Sequence, residues 1–222
     1  MICFTEASLS FNQPKLYPNA SWNINGIMFS DAKTKPFGLF VDADNNVYAT
    51  MQGTHQVRVW SSPSGTLMRT LTGNLHNPAA IFVTRNGDIY VDSGDNRRVE
   101  LWTINATEGI NVMNVANQCM GLFVDTNNTL LCAASNSHTV IAKSLNGSSQ
   151  STLVVAGTGT CGTTADQLCL PNGIFVDTSF NLYVADWQNN RIQKFRLAED
   201  NNIKYKGSVQ KGSGRNRVSL RI

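Results

Sequence analysis

The sequence predicts an all-β fold made of repeated four-stranded antiparallel units. Three observations carry this: a motif that recurs four times, strand-like segments of β-branched and aromatic residues, and no competing segment with a useful helix period. The copies are PFGLFVDADNNVYA from Pro36, PAAIFVTRNGDIYV from Pro78, CMGLFVDTNNTLLC from Cys119 and PNGIFVDTSFNLYV from Pro171. The offsets of 42, 41 and 52 residues differ by one insertion, which holds Cys161 and Cys169.

Each copy opens with two apolar segments joined by an Asn-rich turn, of which Asn86-Gly87 is the clearest hairpin signal. A third segment follows in every copy: QVRVW, RVELW, TVIAK and RIQKF. A fourth, GTLMRTL, GINVMNV or STLVVAG, follows in the first three. Val, Ile, Phe and Tyr dominate these segments, as a pleated, half-buried surface favours. A repeated unit of about 40 residues with four strands is the signature of propeller blades around an axis. Gly38, Ala80, Gly121 and Gly173 share one repeat position, where a small residue suits a crowded innermost strand.

The stretch PNGIFVDTSFNLYVADWQNNRIQKF, Pro171 to Phe195, closely resembles the NHL repeat. The match weakens in the other copies: Asp186 is replaced by Met51, Ser93 and Ala134, and Arg191 recurs only as Arg98. The resemblance runs from about Trp22 to Phe195 and implies a propeller, commonly of six blades, without implying one activity. Six blades need roughly 250 residues or more. About four blades are visible, so the expectation is a fragment of a six-bladed ring, with a closed four-bladed ring as the alternative. SWNINGIMFS, Ser21 to Ser30, resembles the outer strand of a preceding blade. The expected organisation is an N-terminal segment over 1–20, the propeller over 21–208 and a basic tail over 209–222.

Composition narrows the function. Apolar residues make up 41% and charged residues 15%, which excludes a disordered tail or a coiled coil. No run approaches the 18 apolar residues of a membrane helix. The net charge of +3 is misleading, because Lys204, Lys206, Lys211, Arg215, Arg217 and Arg221 all lie near the C-terminus. The rest of the chain holds 12 Lys and Arg against 15 Asp and Glu, so a nucleic-acid partner is not expected. The five Cys and three His show no zinc spacing, and no metal or cofactor is expected. Four N-x-S/T sequons, at Asn19, Asn105, Asn127 and Asn146, are about what chance allows in so Asn-rich a chain. The compartment stays open between extracellular or cell-surface, which is favoured, and cytoplasmic.

Candidate residues divide into structural and functional groups. Asp186 and Arg191 flank the turn DWQNNR and read as a structural bridge. Asp42, Asp125 and Asp177 read as hairpin-turn acids that bond the local backbone, rather than as a calcium ring. Cys161 and Cys169 are expected to form a disulfide. Cys119 and Cys132 are a second candidate pair, about three residues out of register in their hairpin. The candidate binding face is the set of loops between second and third strands, because side chains there vary while the strands stay alike. It carries His55, then Asp95, Asn96 and Arg97, then His138, then Trp187, Gln188, Asn189 and Asn190. Trp187 stands out as an aromatic with no evident core to fill.

With no GxSxG, HExxH or phosphate loop and few His, the expectation is a module that binds a protein or carbohydrate ligand and is not an enzyme. Two alternatives stand beside it. NHL repeats often follow RING and B-box domains, which suggests the recognition part of a ubiquitin ligase. Some NHL-like propellers are lyases or lactonases, which suggests an enzyme.

Overall fold

The computed structural model describes residues 35–62, 64–147, 151–197 and 205–208, with Ser21, Asn25, Gly26 and Met28. The expected segments 1–20 and 209–222, and most of Ser21–Ser30, lie outside the described residues.

Four antiparallel sheets of four strands account for the described chain, each strand pairing with the next in sequence. The first blade is β1 (Pro36–Val41), β2 (Val47–Met51), β3 (Gln56–Trp60) and β4 (Leu67–Leu71). The second is β5 (Ile81–Val83), β6 (Ile89–Asp92), β7 (Arg98–Trp102) and β8 (Ile110–Asn114). The third is β9 (Cys119–Val124), β10 (Thr129–Ala134), β11 (Thr139–Ser144) and β12 (Leu153–Ala156). The fourth is β13 (Pro171–Val176), β14 (Leu182–Asp186), β15 (Arg191–Leu197) and β16 (Tyr205–Ser208). The sequence reading found no fourth strand in the last copy. The short YKGS segment of β16 has no apolar alternation to reveal it, and it is held by backbone pairing to β15.

The innermost strands lie side by side, β1 against β5, β5 against β9 and β9 against β13. Alternation along a strand gives each blade two faces, one for each neighbour. Tyr48, Val57 and Val59 of the first blade share a core with Ile81, Val83 and Val91 of the second. The second, third and fourth blades share one continuous core that includes Phe82, Val99, Phe123, Leu130, Val140 and Val184. A ladder of equivalent phenylalanines threads the stack. Phe40 meets Phe82 at 5.3 Å between ring centroids, Phe82 meets Phe123 at 5.0 Å, and Phe123 meets Phe175 at 5.4 Å. These edge and tilted contacts add to the area each ring buries.

The small-residue position has a direct cause. A Cβ on Gly38 would stand 2.2 Å from the carbonyl oxygen of Ala79, in the chain entering the second blade, and one on Gly121 2.4 Å from that of Asn172, in β13. Gly173, with no following blade beside it among the described residues, has no contact that close. A register shift falls beside this position in β1–β2, β9–β10 and β13–β14. Thr50 ties two blades there, accepting from the Gly38 N–H and donating to the Ala79 carbonyl, each at 2.7 Å.

Both cysteine pairs are bonded, with Cα separations of 5.4 Å for Cys119–Cys132 and 4.4 Å for Cys161–Cys169. The register objection to the first pair is corrected by the irregularity in β9–β10. Ala134, not Cys132, stands opposite Cys119, and the shift brings the two sulfurs onto one face.

The hairpin acids are structural. Asp42 Oδ1 accepts the N–H groups of Asp44 and Asn46, and its Oδ2 accepts the Tyr48 hydroxyl. Asp177 repeats this with Ser179, Asn181 and Tyr183, and Asp125 with Asn127 and Thr129. Burial pushes the Asp125 carboxyl up against its N–H donors. At the more open Asp177, burial also acts upward, but the donors of Asn181, Tyr183 and Ser179 prevail and hold the carboxyl below its ordinary value.

Candidate functional site

The connections from second to third strand gather at one end of the stack, beside the links that enter each innermost strand. Each is a single 3-10 turn: Gln52–Thr54, Gly94–Asn96, Ser135–Ser137 and Trp187–Asn189. The residue that closes each turn is left-handed: His55 at φ 54°, Arg97 at 53°, His138 at 56° and Asn190 at 50°. Non-glycine residues pay for that conformation, so surrounding contacts must hold it. His55 Nδ1 accepts the Asn77 N–H at 2.9 Å, and His138 Nδ1 accepts the Leu170 N–H at 3.2 Å. The two histidines are therefore pins between a loop and the next blade's entry, and they do not converge on one point. His55 does have an aromatic neighbour, His76, at 5.4 Å between ring centroids.

The other candidate residues occupy the same end. Asn96 donates to the Asn74 carbonyl and to Ser93 Oγ, and the Asp95 N–H donates to the His76 carbonyl. Asn189 donates to the Gly162 carbonyl and to Asp186 Oδ2, while the Gln188 N–H donates to the Cys169 carbonyl. Asp95, Arg97, Gln188 and Asn190 are exposed. Trp187 is 59% exposed and packs between no blades. Its counterpart in the second blade is Gly94, where a Cβ would come within 2.6 Å of the Asn77 carbonyl oxygen. The loops thus share a backbone and differ in what they project. Among the described residues, no three His, Cys, Asp or Glu side chains gather as a metal ion would need.

Asp186 and Arg191 form a clamp. Arg191 Nε donates to the buried Asp186 Oδ2 at 2.7 Å. The remaining Arg191 nitrogens donate to the carbonyls of Thr163, Thr164 and Gln167. Asp186 Oδ1 accepts the Cys169 N–H at 2.6 Å. One ion pair therefore fixes the disulfide-bearing insertion to the fourth blade. In the second blade Arg98 keeps the arginine position but pairs with Glu100, two residues on, at 2.7 Å.

Sequence comparison of the repeats missed Asp92, whose counterpart in the fourth copy is Ala185. Asp92 Oδ1 accepts the Cys119 N–H at 3.0 Å, the same service that Asp186 gives Cys169 from one position later. Its other oxygen has no hydrogen-bond partner among the described residues. Burial, helped by the Asp95 charge and opposed by the Cys119 N–H, raises the carboxyl to about 7. The folded state then keeps a proton that the unfolded chain releases near pH 4. This contribution is therefore largest at low pH and falls as pH rises from about 4 to about 7. Asp92→Asn keeps an acceptor for Cys119 and removes the titration. Its urea-unfolding free energy is expected to match the parent's near pH 4 and exceed it by about 3 kcal/mol above pH 7. An equal difference at both pH values would show that the proton is not held there.

No protein-family model and no curated protein sequence matches the chain. Among solved structures it is similar to a streptogramin B lyase, at 14% identity and a TM-score of 0.57 over 75% of this chain and 53% of that one. It is similar to a catalytically inactive virginiamycin B lyase variant from Staphylococcus aureus with quinupristin, at 12% identity and 0.59, over 79% and 56%. A computationally designed protein, Ika4, matches at 13% identity and 0.55, over 78% of this chain and all of that one. The fold is thus that of a β-propeller, and the chain spans about half the length of the lyases it matches. The expectation that the chain is not an enzyme is corrected here, because two of these structures are lyases. Scarce histidine therefore does not separate an enzyme from a binding module.

Proposed function

We propose that the chain is the ligand-handling part of an NHL-type propeller with lyase-type activity, and that the end bearing the four 3-10 turns is its working face. The observation that supports this face is its construction: one backbone repeated four times, with two of its left-handed closing residues, His55 and His138, pinned from behind, presenting different side chains forward. Function on repeated scaffolds concentrates in such loops. The lyase class is supported by the similar solved structures, of which one holds quinupristin. Protein or carbohydrate binding without turnover, as in a recognition module of a ubiquitin ligase, is the reading this replaces.

The test uses quinupristin as probe, with and without added divalent cation, and mass spectrometry of the products. Conversion to a new species by the parent protein supports lyase chemistry, and an unchanged probe under both conditions rejects it. Trp187→Ala is expected to leave the melting temperature within about 2 °C of the parent, because an exposed side chain loses little on truncation. The same variant is expected to lower conversion at least tenfold. Full conversion by the variant would move the working face away from this loop.

A further inference from the structure

The two ends of the stack expose the two halves of one interface. At the first position of the inner strand's forward pair, Ile81 and Leu122 are 7% and 6% exposed, covered by the preceding blade, whereas Leu39 is 67% exposed. On the opposite face, Val57, Val99 and Val140 of the third strands are wholly buried under the following blade, whereas the equivalent Ile192 is 55% exposed. Phe82 and Phe123 are buried in the aromatic ladder, and Phe175, its last rung, is half-exposed. The open side of the first blade is a groove of about 550 Å³ lined by Met28, Phe37, Leu39, Val47, Met51 and Trp60. Apolar patches of this kind on both ends of a chain mark an interaction surface.

Every interface inside the stack joins a Phe-bearing face to a face of the Leu39 kind. The fourth blade still offers the first, with Phe175, Tyr183 and Ile192, and the first blade still offers the second. We infer that a second copy of this chain covers these faces head to tail, so that two copies close one ring. The contact is heterologous, and two such contacts related by a twofold axis satisfy all four open faces. Continuity with the internal interfaces specifies the geometry, since the incoming Phe175 takes the place that Phe40 holds against Phe82. This inference does not depend on the proposed activity.

The experiment is analytical ultracentrifugation of the full chain at micromolar concentration, beside Leu39→Glu and Ile192→Glu. Both positions are exposed in the single chain, so circular dichroism of each variant should match the parent. The parent is expected at twice the 24.3 kDa chain mass, and each variant at the single mass, with a dissociation constant raised at least a hundredfold. Each single charge should break both contacts, because every contact uses one face of each kind. A monomeric parent, as would arise if another part of the same chain covered the groove, overturns the inference. So does an assembly of more than two copies. A dimer lost in Leu39→Glu but kept in Ile192→Glu also overturns it, since that pattern means first blade against first blade.

Discussion

Phe82→Ala is expected to destabilise the chain by about 4 kcal/mol, the range for emptying a buried aromatic site. Phe82 is the rung that joins the first blade to the rest, packed between Phe40 at 5.3 Å and Phe123 at 5.0 Å. Its loss removes two ring–ring contacts and opens a cavity between β5 and its neighbours, which the rigid pleat of the sheets cannot close. Among the described residues the first blade shares its core with one other blade, so its unfolding should separate from that of the other blades. Urea unfolding followed by the buried Trp60 in the first blade and by far-ultraviolet circular dichroism would show two transitions instead of one. Phe175→Ala is the control. Its ring is half-exposed at the end of the ladder, and in the single chain its truncation should cost less than half as much. Equal costs at the two positions, measured on the single chain in the Leu39→Glu background, would mean that the ladder is not what joins the blades.

Arg191→Ala is expected to cost about 4 kcal/mol, because it leaves the Asp186 carboxylate buried without its counter-charge. The Cys169 N–H and the Asn189 amide still reach Asp186, but three carbonyls of the insertion lose their donor together. Arg191→Lys should recover less than half of the loss, since one ammonium cannot span the carboxylate and three carbonyls as a planar guanidinium does. Urea midpoints of the three proteins check this, with the denaturant slope unchanged. A loss below 1 kcal/mol for Arg191→Ala would reduce the clamp to a surface ion pair.

The blades were legible because the repeat carries its own alignment. PFGLFVDADNNVYA and its copies set the first two strands, the hairpin Asp and the small-residue position, and each keeps its physical role in the structure. What escaped was whatever the repeat does not repeat. β16 has no apolar alternation, and its pairing depends on a strand already in place. Asp92 sits one position away from the acid it replaces, so comparison by alignment sets it opposite Ala185, although both acids cap an incoming strand's N–H. Glu100 takes over as the partner of Arg98 in the same way. The sequence offers Cys119 and Cys132 as a pair, but not the one-residue irregularity that brings them together. At the candidate face, sequence variation located the loops. It did not reveal that His55 and His138 turn their Nδ1 atoms back to the scaffold. Enzyme or binding module was beyond its reach, because that choice rests on a few projecting side chains and not on the strands that dominate the pattern.

The central claim, that the end bearing the 3-10 turns is the working face, is tested most directly by hydrogen exchange with and without saturating quinupristin. Slowed exchange at residues 52–55, 94–97, 135–138 and 187–190 is the predicted result. Unchanged exchange throughout, or slowing confined to the hairpin turns at 42–46, 84–88, 125–129 and 177–181 on the opposite end, would contradict it.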